Sequence, residues 1–149
     1  MTLERALSIA STAHTGQVDK AGQPYVLHPL RVMLRLTDPD ARIVAALHDV
    51  VEDTDVTLDD LRAEGFSPAV LAGVDAVTRR NEETYDEFLL RAAADPIGRQ
   101  VKRADLQDNL DPTRLPNPTE RDLRRLEKYR RALATLDAIE AEAGEVRVS

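Results

Sequence analysis

Cysteine is absent from the 149 residues, so disulfides, thiolate metal sites and thiol nucleophiles are excluded from the start. Tryptophan is missing, aromatics make up only 3% and there are just 6 glycines, a composition that leans away from strands and toward helices. No apolar run approaches the ~18 residues of a membrane span. The N-terminus carries Glu4 and Arg5 early and has no signal-peptide pattern. These absences lead us to expect a soluble, cytoplasmic protein with no membrane partner. Excess positive charge is lacking too: Lys plus Arg is 20 against 27 for Asp plus Glu, a net charge of −7. A nucleic-acid polymer, which calls for a basic face against its phosphates, is therefore not an expected partner. A small phosphorylated ligand held by a few local cations remains compatible. At 42% hydrophobic residues the chain can bury a core, and its length is that of one domain.

Helix punctuation divides the chain into about eight helical segments. Thr2 opens the first, in which Leu3, Ala6, Leu7 and Ala10 keep helical spacing up to His14. After a turn-rich stretch from Gly16 to Pro24, Pro29 sits like a first-turn proline ahead of Val32, Met33 and Leu36. Asp38-Pro39 reads as a cap and first-turn proline for a helix expected to run to Asp53. Thr57 with Asp60, Ser67-Pro68, Thr84 and Asp95-Pro96 mark four further starts. The last begins at Pro118-Thr119 and carries a stripe of Leu123, Leu126, Tyr129, Leu133, Leu136 and Ile139. The expected architecture is all-α, a single domain over 1–149 with its core at about 2–135 and a frayed tail at 144–149.

Chemistry concentrates in Ala46-Leu47-His48-Asp49-Val50-Val51-Glu52-Asp53-Thr54. On a continuous helix with His48 at zero, Glu52 falls at roughly 40°, Asp49 at 100° and Asp53 at 140°. Ile43, Val44, Leu47, Val50 and Val51 take the opposite arc. An imidazole and three carboxylates would share one face. On an arbitrary helix such a face is usually solvated, but acids at a helix C-terminus oppose the dipole with no structural return. That tilts the pattern toward a bound cation, and imidazole with carboxylate suits Mn, Fe or Zn. Two outlying residues could complete a ligand set: His28, ahead of Pro29, and Asp105, which shares a helix face with Lys102 and Asn109. Taken singly, His28 is as readily a packing histidine and Asp105 a surface acid.

The order His28, His48-Asp49, Asp105 resembles the H…HD…D pattern of the HD-domain metal phosphohydrolases. The neighbouring words are more specific. Ala13-His14-Thr15-Gly16-Gln17, Lys20, Gly22-Gln23-Pro24-Tyr25 and His28-Pro29 resemble the hydrolase domain of the bifunctional Rel/SpoT alarmone enzymes, as do the HDxxEDT block and Lys102-Arg103-Ala104-Asp105 with Asn109. The likeness runs from about residue 2 to about 135 and is similar to the stand-alone small alarmone hydrolases. It implies an HD-type helical bundle holding one Mn²⁺ through His28, His48, Asp49 and Asp105. Glu52 and Asp53 would position and activate the attacking water. Lys20, Tyr25, Lys102 and Asn109 would serve substrate binding. The implied reaction removes the 3′-pyrophosphate of ppGpp or pppGpp, giving GDP or GTP. A non-catalytic nucleotide sensor is disfavoured, because all four ligands and both carboxylates are present.

Two departures keep another phosphorylated nucleotide open as substrate: an adenine alarmone, NADPH or a monophosphate. Asp19 stands beside Lys20 where the family commonly carries a basic pair, and Asp108 would bring negative charge near the sugar or base. Tyr25 is divided evenly between stacking on a base and packing against His28. His14 reads as structural, Arg79-Arg80 as a helix-end basic pair, Arg114 as a residue of a loop over the pocket, and 120–131 as a solvated face. Self-association stays open, since the final stripe serves equally well as core.

Overall fold

The computed structural model describes residues 2–148 along the backbone, with side chains through residue 143. Nine α-helices are present among them: α1 (Leu3–Ala13), α2 (Leu27–Leu34), α3 (Pro39–Leu47), α4 (Val50–Asp53), α5 (Leu58–Glu64), α6 (Pro68–Ala76), α7 (Tyr85–Ala94), α8 (Pro96–Asn109) and α9 (Glu120–Val148). A 3-10 turn at Pro112–Arg114 interrupts the connection from α8 to α9. The only β-like pairing among the described residues is an isolated bridge between Val18 and Pro24. No described helix is long and apolar enough to cross a membrane.

The expected starts are where the side chains can cap them. Thr2, Asp38, Ser67 and Asp95 each accept from a backbone amide three residues on. Thr57 with Asp60 and Thr84 with Glu87 close full capping boxes, and Thr119 with Asp122 makes the same reciprocal pair ahead of α9.

One expectation fails. The helix from Asp38 does not continue to Asp53 but breaks at His48-Asp49, and so the helices number nine. The His48 amide reaches back only to the Ala45 carbonyl, at 3.4 Å, and the His48 Nδ1–H donates to that same oxygen at 2.7 Å. The side chain thus takes over a main-chain acceptor and the helix restarts at Val50 with Asp49 at its cap position. The helical-wheel face drawn from His48 to Asp53 is accordingly not one face.

α3 is the centre of the fold. Ala41, Ile43, Val44, Ala45, Ala46 and Leu47 are all buried, and α1, α2, α6 and α8 surround it. The alanines expected to sit beneath a polar face instead let neighbouring helices come close. A second apolar seam joins α7, α8 and α9 through Leu89, Leu106, Ala132 and Leu136. The α9 stripe packs from Leu126 onward, whereas Leu123 is half exposed near the helix start. α9 remains helical to Val148; the side chains of 144–149, and with them the expected fraying, lie outside the described ones.

Helix α6 and the Val77–Thr84 connection are tied to α7 by Arg91. Its guanidinium holds Glu83 through two bonds, at 2.6 and 2.9 Å, and also donates to the carbonyls of Asp75 and Thr78. Arg91 pulls the Glu83 carboxyl from its ordinary value of 4.5 to about 2. A depressed carboxyl stabilises the fold above its unfolded pKa and loses that contribution as pH falls through its folded value. Glu83→Gln is therefore expected to lower the melting temperature at pH 7, with the gap from wild type closing between about pH 4.5 and 2.

Close approach of α8 to α6 and α7 rests on Gly98. A Cβ there would meet the Ala92 carbonyl oxygen and the Ala76 Cβ at 2.9 Å each. Helix propensity alone would favour alanine by about 1 kcal/mol. We expect instead that Gly98→Ala destabilises by about 1–3 kcal/mol, read from the midpoint of urea unfolding, because backbone must move.

Candidate active site

Four side chains from three elements converge at the break in the central helix. His28 comes from α2, His48 and Asp49 from the α3–α4 break, and Asp105 from α8. His28 Nε2 lies 2.9 Å from Asp105 Oδ1 and 3.7 Å from Asp49 Oδ2. His48 Nε2 lies 3.1 Å from Asp49 Oδ2 and 3.4 Å from Asp105 Oδ1. Both imidazoles are 3% exposed, so the histidines lie in the interior, while Glu52 and Asp53 of the same segment are exposed. Burial alone would push both imidazoles down; the facing carboxylates outweigh it and raise them, His48 well above its usual range. Burial likewise opposes ionisation of Asp49 and Asp105. The His48 imidazole holds Asp49 down to about 2, and Lys102 with the two imidazoles holds Asp105 well below the carboxylate range.

The donor set fits a divalent cation. Ligating atoms of His28, His48 and Asp49 lie within 4.8 Å of one another, and Asp105 closes on both histidines. His48 Nε2 is buried with no hydrogen-bond partner, while its Nδ1–H is spent on the Ala45 carbonyl, so in the neutral ring the Nε2 lone pair faces the cluster. The His28 Nδ1–H donates to Asp108 at 2.6 Å, which aims its Nε2 into the same space.

His28, Asp49 and Asp105 of the cluster line a cavity of about 520 Å³. Glu52 lines it, and burial with the charges of Asp49 and Asp53 raises its pKa. Asp53 does not line it; it sits at the end of α4, and its carbonyl accepts from Gln17. Burial and the charge of Asp49 raise the Asp53 carboxyl as well.

The residues expected to meet substrate line the cavity, but each has a partner within the protein. Lys20 pairs with Asp122 at the start of α9. The Tyr25 hydroxyl donates to Asp49 at 2.6 Å, its ring is tilted against His14 and edge-on to His28, and burial holds its phenol protonated. The ring thus makes the packing contact with His28 that the sequence allowed. Buried Lys102 donates to Asp105 at 3.2 Å and sits 4.8 Å over the Phe88 ring. Asn109 donates to Asp105 at 3.2 Å and accepts from Arg114 at 2.7 Å.

Both suspect acids turn out to be engaged elsewhere. Asp108 is fully buried and absent from the cavity wall; it binds His28, Arg31 and Arg114, so the expected negative charge at the sugar or base is corrected. Asp19 lines the mouth, yet its Oδ1 accepts from the amides of Ala21 and Gln23 and shapes the loop.

The cavity wall also carries groups that the sequence reading did not select. Arg79, Arg125 and Lys128 line it with Tyr85 and Tyr129. Lys128 Nζ lies 3.9 Å over the Tyr85 ring, and burial beside Arg79, Arg125 and Lys102 lowers its pKa. Residues 120–131 are therefore not a wholly solvated face, and Arg79 does more than end a helix. The i, i+3, i+4 spacing of Arg125, Lys128 and Tyr129 was a readable signal, hidden by charge all around α9.

Comparison with known proteins follows this geometry. The HD domain family pattern matches residues 6–140. A guanosine-3′,5′-bis(diphosphate) 3′-pyrophosphohydrolase of Aquifex aeolicus is 35% identical over 120 residues, covering 72% of this chain and 17% of that protein. A GTP pyrophosphokinase of Streptomyces coelicolor is 34% identical over 148 residues, covering 91% of this chain and 16% of that one. The chain thus spans about a sixth of the length of these curated relatives. Among solved structures, a metazoan ortholog of SpoT that hydrolyses ppGpp superposes with a TM-score of 0.74 at 27% identity, covering 90% of this chain and 84% of that one. With two histidines and two aspartates meeting at the helix break and the family pattern spanning nearly the whole chain, the protein belongs to the HD domain family.

Proposed function

We propose that the protein is a metal-dependent phosphohydrolase that removes the 3′-pyrophosphate of guanosine alarmones, converting (p)ppGpp to GDP or GTP and pyrophosphate. The carrying observation is one cavity lined both by members of the His/Asp cluster and by cations, Arg79, Arg125 and Lys128 among them. The likeness to a ppGpp-hydrolysing protein over most of both chains supports this choice of substrate. One domain over about 2–135 would do the work, in a cytoplasmic setting.

His28, His48, Asp49 and Asp105 would hold one divalent ion, for which Mn²⁺ suits the imidazole–carboxylate set. Such an ion lowers the pKa of water and polarises a phosphoryl oxygen. Glu52, facing the cluster with a raised pKa, accepts the proton of the attacking water. Asp53 contributes negative charge behind Glu52 and keeps it basic. Tyr25 fixes Asp49, and Lys102 and Asn109 fix Asp105. Lys20, Arg79, Arg125 and Lys128, all on the cavity wall, offset charge on the phosphates that do not react. The internal engagement of Asp19 and Asp108 weakens the case for a different nucleotide.

Incubation of the full chain with Mn²⁺ and ppGpp is expected to release GDP and pyrophosphate, and Asp49→Ala to lower the rate by at least about 100-fold. Intact ppGpp alongside turnover of NADPH or an adenine alarmone would reassign the substrate. Retained activity in Asp49→Ala would overturn the metal assignment. Lys128→Ala and Arg79→Ala are each expected to raise KM for ppGpp about tenfold with a smaller change in kcat, as loss of a charge-assisted contact predicts.

A further inference from the structure

Asp108 and Asn109, adjacent on α8, each hold a different member of the His/Asp cluster. Asp108 Oδ2 accepts from His28 Nδ1 at 2.6 Å, and Asn109 Nδ2 donates to Asp105 Oδ1 at 3.2 Å. Both are held in turn by one nitrogen. Arg114 Nη1 donates to Asp108 Oδ2 at 3.2 Å and to Asn109 Oδ1 at 2.7 Å, using its two protons, and lies 3.3 Å from His28 Nδ1. Arg31 binds Asp108 from α2 through Nε and Nη2 but has no hydrogen bond to Asn109. Among the described residues, Arg114 is the side chain hydrogen-bonded to both.

Arg114 does not come from the helical frame. It belongs to the 3-10 turn at Pro112–Arg114, which Asp111 caps by accepting from the Thr113 amide and hydroxyl. The guanidinium also lines the cavity, and its own side chain is 18% exposed. Holding Asn109 through its carbonyl oxygen turns the Asn109 amide nitrogen toward Asp105, and neutralising Asp108 leaves it an acceptor for His28.

We infer that Arg114, carried by the α8–α9 connection, is a positioning residue for the His/Asp centre, setting the orientation of His28 through Asp108 and of Asp105 through Asn109. The inference rests on the metal-dependent reading above. It makes the connection between α8 and α9 part of the ligand frame, not merely a covering of the pocket.

Titration calorimetry of chelator-stripped full-length protein with Mn²⁺ alone tests this, with no substrate present. Arg114→Met keeps the apolar stem and removes the donor; it is expected to weaken Mn²⁺ binding by about 10–100-fold. Arg114→Lys restores one nitrogen able to donate twice and is expected to bind within about threefold of wild type. The stripped variants should melt close to wild type, which a purely structural role would not allow. Equal binding by wild type and Arg114→Met overturns the assignment, as does a loss that tracks a lowered melting temperature. If the methionine variant does not fold, lysine alone decides: retained affinity supports the role, and a loss of about tenfold or more overturns it. Wild-type protein that binds no Mn²⁺ overturns the metal reading and this assignment with it. Wild type that binds Mn²⁺ without cleaving ppGpp overturns only the substrate.

Discussion

Two imidazoles and three carboxylates, His28, His48, Asp49, Asp105 and Asp108, meet inside a helical bundle, largely withdrawn from solvent. Groups of this kind are costly to bury unless paired, and much of the local architecture is the set of pairings that results. Lys102 is drawn inward against Asp105, Tyr25 against Asp49, and Arg31 with Arg114 against Asp108. The break in the central helix belongs to the same constraint. A helix running unbroken through residue 49 would point His48 and Asp49 about 100° apart. Ending it at Leu47 lets both side chains face one point, and the His48 ring replaces the main-chain bond that the turn gives up.

Where the sequence was legible, the reason is local. Caps such as Asp38, Thr57, Thr84 and Asp95 act within three residues, so they can be read one at a time. That His28 and Asp105 meet was legible only through the resemblance, because they are separated by 77 positions and spacing says nothing about their meeting. The helix break was not legible: Ala45 to Asp53 has no glycine or proline to mark it, and the interaction that makes it is a side chain bonding three residues back. Asp108 was misread for a related reason. Its neighbour Asn109 lines the cavity, but one step along a helix turns the next side chain by roughly 100°, which carries Asp108 into the interior toward His28 and Arg31.

The net charge of −7 says little about the cavity. Acids line it, in Asp49, Glu52 and Asp105, and so do cations, in Arg79, Arg125 and Lys128. Bringing them together depends on distant parts of the chain. Arg91, by gripping Glu83 and the carbonyls of Asp75 and Thr78, fixes the connection from which Arg79 projects, and Leu136 anchors the helix that brings Arg125 and Lys128. Composition averages these charges into one figure, whereas a ligand inside meets them one at a time.

Under the proposed reaction these charges act before any base is read. The carboxylates of Asp49, Glu52 and Asp105 repel a phosphate unless a divalent cation is held there, so the reacting group is one that a cation can engage. Arg79, Arg125 and Lys128 attract phosphate directly; among the described side chains of α9, Asp122, already paired with Lys20, is the one carboxylate on the cavity wall. A nucleotide with more than one phosphate group therefore gains from the cation and from these side chains at once, and one with a single phosphate group forgoes one of them. Discrimination among nucleotides then begins with the number of their phosphates, and contacts to the base act on a ligand whose reacting end is already chosen.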